Sequence, residues 1–490
     1  VAPAAVRPAR RPASDGASEP PLVAELPALV TSVPAEGLLH GAVRVEGLSH
    51  GWVRPWRVLP AQQRSLASCM AWYPGIFRQM AACTSGITLE FETDSSHVAV
   101  EVRLDAEPRA TRNVLAGVDG AGEPLAHDGL SVDVDGRHRK PAMPTFAEGI
   151  LPEARGDVLL VDLTRSGRSR AGGLQPLPGM GPARHVRVWL PCLRGCELGR
   201  VCGDGTFIRP IAPRDTMLVL GDSLSQGFCA DDPAKAWPSV VASRLGLDLV
   251  NQSIGAQVFQ PTALAGAEAM GLSPKLVVVA LGANYRYGRC SERVVGREIT
   301  DFLMRVDELW GDSPLVVLVP ATEGREAVSG SCCEQVSGLI AAAASRVRRR
   351  RVSEGRPALL VSQMPALPAS YLADEDGHPT AKGNARIVDF VMDELEKLDC
   401  RCLAELGEFG RCGACRHKAT ANRHGSPRRG SEATTRASPT QTTRPLSPPG
   451  LSWSFRSSRA LSPWCRVRPR SRWHLLPPKI RGTCLIPSRA

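Results

Sequence analysis

The sequence predicts an all-β domain followed by a three-layer α/β domain built on a parallel sheet, between disordered ends. Three observations predict it. Short runs that alternate apolar and polar residues fill the first half, as in "HVAVEVRL" (97–104). Near-continuous Val/Leu runs alternating with helical patterns fill residues 213–399. Periodicity is missing before residue 37 and after residue 399.

The composition sets bounds on these parts. A chain of 490 residues has room for two or three domains, and 43% hydrophobic residues supply ordinary cores. The net charge of +11 misleads, because residues 401–490 hold 18 Lys+Arg against 3 Asp+Glu, and the other 400 residues hold 42 against 46. The body is mildly acidic, so the basic average does not mark it as a nucleic-acid binder. No run of 18 apolar residues exists, so no membrane insertion is expected. The opening "VAPAAVRPARRPASDGASEPP" has no continuous apolar stretch and is not read as a signal peptide. Fifteen cysteines are odd in number and sparse, which suits free thiols in a reducing cytoplasm, the expected compartment.

In chain order, residues 1–36 are read as a disordered segment rich in Pro, Ala and Arg. The β-sandwich or jelly roll occupies residues 37–212, with strands at 87–93, 97–104, 114–120, 158–164 and 185–191. Residues 213–399 carry five buried strands, at 216–222, 248–254, 275–284, 314–321 and 358–364. Helical patterns lie at Ala234–Leu245, Thr262–Met270, Arg293–Trp310, Glu334–Arg348 and Thr380–Leu398. Residues 400–490 are read as a disordered basic tail. Within it, Cys400, Cys402, Cys412, Cys415 and His417 make only part of a zinc pattern.

All strands of a parallel sheet end at one edge, and ligands bind outside that edge. "DTMLVLGDSLSQGF" (215–228) puts Ser223 at the end of the first strand. Gly255 in "NQSIGA" follows the second, and Asn284 in "LGANY" follows the third. His378 in "DEDGHPTAKGN" comes after the fifth. The residue types fit one chemistry. A serine hydroxyl becomes a useful nucleophile when a base accepts its proton, and a histidine titrates near neutrality. Fixed donors must face the oxygen that becomes negative. The backbone N–H groups of Ser223 and Gly255 and the Asn284 side chain are the candidates. That chemistry needs neither metal nor cofactor.

These four blocks, in this order over residues 213–399, resemble the signature blocks of the SGNH, or GDSL-type, hydrolases. The β-domain before them resembles the sandwich of family 2 carbohydrate esterases and of related acyltransferases. The resemblance implies a flavodoxin-like three-layer fold. It also implies a serine esterase acting on small acyl esters, such as acetyl on a sugar, through an acyl-enzyme on Ser223 with His378 as base. An acyltransferase on the same machinery and a non-catalytic carbohydrate-binding protein are the alternatives. The family places an aspartate three residues before its histidine, where this chain has Glu375. Asp376 lies two before and Asp374 four before. Glu375 and Asp376 are the candidates to orient the ring, with a backbone carbonyl as the alternative.

Each residue also has a plainer use. Ser223 suits a helix N-cap, Asn284 and Gly255 suit turns, and His378 suits a helix entrance. Together, at four strand ends, they favour a site. Asp222 is expected to bond backbone N–H groups in its turn, and Cys229 is read as packing. "SRVRRRR" (345–351) is read as a solvated helix end. The tail's arginines and tryptophans lack a fold to present them to nucleic acid.

Overall fold

The computed structural model describes residues 28–68, 74–109, 111–117, 128–146, 150–151, 153–163, 182–322 and 326–398. The tail, with its cysteines and tryptophans, lies outside the described residues.

The first half is antiparallel. Its strands are β1 (Thr31–Pro34), β2 (Leu39–His40), β3 (Arg44–Gly47), β4 (Val53–Trp56), β5 (Thr88–Thr93), β6 (His97–Leu104), β7 (Leu130–Val134), β8 (Arg137–Ala142), β9 (Asp157–Asp162), β10 (Arg184–Trp189), β11 (Cys196–Gly203) and β12 (Ile208–Pro210). One sheet has the order β3-β4-β11-β6-β9, with β1 paired to β11. The other has the order β12-β5-β10-β7-β8, with β2 paired to β5. Alternation supplies the core between them. Val98, Val100 and Val102 of β6 meet Leu89 and Phe91 of β5 and Val186 and Val188 of β10. Helices α1 (Pro60–Ser68), α2 (Pro74–Ala81) and α3 (Arg112–Leu115) interrupt the strands.

Two features of this half depart from expectation. Thr31–Pro34 is a strand registered against Arg200–Gly203, so pairing begins within the segment read as a lead-in. Where a strand is expected over 114–120, Arg112–Leu115 is helical, closed by Leu115 N–H bonding to Thr111 O, and residues 118–120 lie outside the described residues. The apolar run there is too short to decide between strand and helix.

The second half has one parallel sheet of β13 (Thr216–Gly221), β14 (Asp248–Asn251), β15 (Leu276–Ala280), β16 (Leu315–Val319) and β17 (Leu359–Gln363), in the order β14-β13-β15-β16-β17. Helices α4 (Ser223–Gln226), α5 (Trp237–Leu245), α6 (Glu292–Trp310), α7 (Val336–Ser353) and α8 (Ala381–Leu395) accompany it. Both faces are covered, which is why the strands read as unbroken apolar runs. Leu218, Leu220, Val277, Val279 and Val317 pack with α6 and α7. Met217, Val219, Val278, Val316 and Leu318 pack with α5 and α8. The helix expected over Thr262–Met270 is two short 3₁₀ turns, Pro261–Leu264 and Ala267–Met270. Gly266 separates them at φ 69°, a left-handed setting that breaks a helix. At the end of α7, Arg351 is buried and bonds Asp307 Oδ1 at 2.6 Å, so the basic run is only partly a solvated face.

The strand order sets the site. From β13 the chain passes to β14 on one side, and β15 lies on the other. A crevice therefore opens at the carboxyl end of β13.

The two halves meet through polar groups, some buried and some at the surface. His40 Nδ1 lies 2.9 Å from Asp248 Oδ2, and Arg214 joins Asp248 and Glu90 at 2.6 Å each. Burial pushes the Glu90 carboxyl up, but His185 at 3.4 Å, the hydrogen bond from Arg214 and the charge of Arg187 hold it well below the usual range. A second bridge is His138, whose Nδ1 and Nε2 lie 2.8 Å from Asp133 and 2.7 Å from Asp232. Two carboxylates on two ring nitrogens require the imidazolium. The Asp133 bond, then the Asp232 bond, raise its pKa to about 9 against partial burial. Because the folded value lies above the ordinary one of about 6.5, the stabilisation is full below pH ~6.5 and is lost as pH rises through about 9. Melting temperature measured across this window should therefore fall more in the wild type than in His138→Gln. Parallel curves would show that the bridge carries no net stability.

Candidate active site

Ser223 is the first residue of α4, directly after β13. Asp222 caps that helix, its Oδ1 accepting from Leu224 N–H at 3.1 Å, so it has the turn role expected from sequence. Gly227 ends the helix at φ 105°, and Cys229 and Asp231 follow at φ 55° and 59°. Ala256 has φ 67°. Three non-glycine residues in the left-handed region thus lie on the two loops flanking the serine, a costly setting that concentrates at functional sites.

His378 Nε2 lies 2.9 Å from Ser223 Oγ. Ser223 and His378 are each 8% exposed and Asn284 is 7% exposed, so the group is sheltered without being sealed. The Phe228 ring stacks beside the imidazole at 5.0 Å between centroids.

The acid against the ring is neither Glu375 nor Asp376. Asp374 Oδ2 lies 2.6 Å from His378 Nδ1, and its Oδ1 accepts from the His378 backbone N–H at 3.0 Å. The cause is a hairpin. Ala373 N–H bonds His378 O at 2.8 Å, Leu372 bridges to Pro379, and Gly377 N–H bonds Asp374 O at 3.0 Å. Gly377 completes the turn at φ 76°. The fold-back sets residue 374 beside residue 378 and turns 375 and 376 outward, where both are exposed. Burial pushes the Asp374 carboxyl up, but the His378 bonds and charge outweigh it and hold it below the usual carboxylate range. An ionised carboxylate only accepts, so Nδ1 carries the proton and Nε2 is free to accept from the serine hydroxyl.

Asp376 makes different contacts. Its backbone O accepts from Arg286 Nη2 at 2.6 Å, and its Oδ1 accepts from Tyr287 O–H at 2.5 Å. Arg286 and Tyr287 belong to the loop that carries Asn284, so they tie that loop to the histidine hairpin. Glu375 makes no ion pair or hydrogen bond among the described residues.

The loop after β14 also differs from expectation. Gly255 N–H donates to Gln226 Oε1 at 2.8 Å, so it is already committed. A Cβ at Gly255 would lie 2.9 Å from the Phe228 ring, so glycine is needed there for close packing. The adjoining Ala256 N–H has no partner among the described residues, and neither has that of Ser223. Asn284 Nδ2 donates one hydrogen to Gln257 O at 2.9 Å, which fixes the amide and leaves its second hydrogen.

Cys229 does more than pack. Its Sγ lies 3.8 Å from Asp374 Oδ2. Burial first, and the Asp374 carboxylate second, push its thiol far above the usual range, so it stays a weak proton donor. Cys229, Asp374 and His378 bring three ligand-type atoms within 4.8 Å of one another. Here the imidazole and carboxylate satisfy each other. The similar cluster of His40, Glu90 and Asp248 is bonded to Arg214.

A serine at a strand end, a histidine within hydrogen-bond reach and an α/β sheet in flavodoxin-like order make up the candidate site. Residues 219–386 match the GDSL-like lipase/acylhydrolase family, and the domain they form belongs to it. Over these residues the chain carries an SGNH/GDSL-type ester-hydrolase domain. Among solved structures it is similar to the salicylyl-acyltransferase SsfX3 from a tetracycline biosynthetic pathway. That match has 21% identity over 75% of this chain and 97% of the other, with a TM-score of 0.54. It is also similar to a family two carbohydrate esterase from Cellvibrio japonicus, at 12% identity over 77% and 99% of the two chains, with a TM-score of 0.49. No curated protein sequence matches the chain. No described helix is long and apolar enough to cross a membrane.

Proposed function

We propose that the protein hydrolyses small acyl esters through an acyl-enzyme on Ser223. The observation that carries this reading is the row Asp374–His378–Ser223, bonded at 2.6 and 2.9 Å. The Ser223 hydroxyl gives its proton to His378 Nε2 as Oγ attacks the ester carbonyl. The N–H groups of Ser223 and Ala256 and the Asn284 side chain face the oxyanion. His378 returns the proton to the departing alcohol. It then takes one from the water that attacks the acyl group and gives it back to Ser223 Oγ as the Oγ–acyl bond breaks and the acid leaves. Asp374 holds the ring tautomer and favours the imidazolium throughout. Each oxyanion donor of this kind lowers the barrier by about 3–4 kcal/mol.

For the substrate we propose an acetyl group on a carbohydrate, with the β-domain helping to shape the cleft. The similarity to an acyltransferase supports a second reading, in which an alcohol replaces water at the second step. A panel of p-nitrophenyl esters and acetylated sugars, assayed with and without acceptor alcohols, separates the two. Release of free acid at a rate indifferent to the alcohol is expected. Product ester that grows with the alcohol would assign transfer. No turnover on any ester, together with no labelling of Ser223 by a fluorophosphonate, would overturn both.

A further inference from the structure

We propose that Arg57, from the β-domain, is a positioning residue for the ester chemistry that shapes the loop presenting the oxyanion donor from behind. The inference rests on the acyl-enzyme reading above. Arg57 follows β4 and is 0% exposed. Its Nη1 donates to Asn251 O at 2.5 Å and to Ser253 O at 2.9 Å, the two carbonyls that lead into Gly255 and Ala256. Its Nε donates to Cys83 O and its Nη2 to Met80 O, each at 2.7 Å. Its own carbonyl accepts from Gln252 Nε2 at 2.7 Å. Residues 251, 252 and 253 are therefore all held by one residue of the other half.

Neighbouring bonds extend the hold to the serine. Asn251 Nδ2 donates to Ser85 Oγ at 3.1 Å and to Ser225 O at 2.9 Å. Ser85 Oγ–H donates to Gln226 O at 2.6 Å. Gln226 Nε2 donates to Cys192 O at 3.0 Å, which fixes the amide whose oxygen takes the Gly255 N–H at 2.8 Å. With that N–H committed, the next one along, at Ala256, is the donor left to face the substrate.

The charge of Arg57 adds to the geometry. All four of its hydrogen-bond acceptors are carbonyls, and no carboxylate pairs with it among the described residues. Guanidinium remains protonated in proteins, so the site holds a buried cation without a counter-ion. Such a cation costs stability. It also sits behind the loop where the reaction develops negative charge, in surroundings that screen it weakly.

Arg57→Lys keeps the charge and loses the planar fork, and Arg57→Met loses both. We expect Arg57→Lys to lower kcat by about 10–100-fold, less than the ~10²–10³ for losing a donor outright, with KM changed little. Arg57→Met should lose more. Affinity for a boronic acid, which forms a tetrahedral adduct on the serine, should fall in parallel, while that for a non-reactive substrate analogue stays. Circular dichroism at the assay temperature reports the folded fraction, and rates are expressed per folded molecule. A folded Arg57→Lys with wild-type kcat and boronate affinity would overturn the inference. So would a rate loss matched by the unfolded fraction, or failure of both variants to fold, since Arg57 would then be structural alone. Wild-type protein that neither turns over esters nor takes a fluorophosphonate would overturn the acyl-enzyme reading itself, and this inference with it.

Discussion

Ser223→Ala is expected to abolish ester turnover and to leave the fold intact. The substitution removes one oxygen whose only side-chain partner among the described residues is His378 Nε2, at 2.9 Å. The helix cap comes from Asp222, so α4 keeps its start. Loss of a nucleophile in a serine triad costs about 10⁶ in turnover, so the residue should reach the background of the oxyanion donors. A fluorophosphonate should label the wild type at Ser223 and leave the variant unlabelled. Melting temperature should stay close to wild type. Retained turnover in purified variant, checked against contaminating esterase by the same probe, would remove Ser223 from the mechanism.

Asp374→Asn carries the second large effect. The exchange keeps size, but an amide can offer an N–H to His378 Nδ1. The ring then carries its proton on Nε2, where it cannot accept from the serine. A loss of up to about 10⁴ in kcat is expected, as in other triads. Glu375→Gln and Asp376→Asn are the controls. Glu375 is exposed, so its change should have little effect. Asp376→Asn disturbs the Tyr287 bond but keeps the carbonyl that Arg286 holds, so a loss within about tenfold, ~1.4 kcal/mol, is expected. If Asp374→Asn also stays within that limit, the site works as a Ser223–His378 pair and the acid serves only the hairpin.

The sheet and the order of its strand ends were legible in the sequence because parallel strands covered on both faces leave unbroken Val/Leu runs. The serine and asparagine could be placed for the same reason, since each falls at or just past the end of such a run, and the histidine stands at the entrance to the last helix. The acid was not legible. Three acidic residues stand at 374–376, and the choice among them depends on Gly377 taking a left-handed φ, which folds residue 374 back onto residue 378. The commitment of the Gly255 N–H was not legible either, because its bond to Gln226 spans 29 residues and joins two separate loops. Arg57 left no signal of any kind. A single arginine after a strand reads as surface until residues 251 and 253, nearly two hundred positions away, are brought to it. The turns over Pro261–Met270 misled for a local reason, since their apolar spacing suits a helix and Gly266 overrides it.

The sequence distance of the Arg57 bonds has a consequence for how the chain is made. Asn251 and Ser253 follow Arg57 by 194 and 196 residues. At about 5–20 residues per second, a ribosome delivers them roughly 10–40 s after Arg57 itself. During that interval the nascent β-domain has a cation meant for burial, a half-built apolar cluster at Val58, Leu66, Phe77 and Met80, and a His40 without Asp248. Arg57 and His40 lack these partners until β14 and the loop after it emerge. The β-half is thus translated first but completed only once β14 and the loop after it have emerged, before β15–β17 and α8 complete the other half.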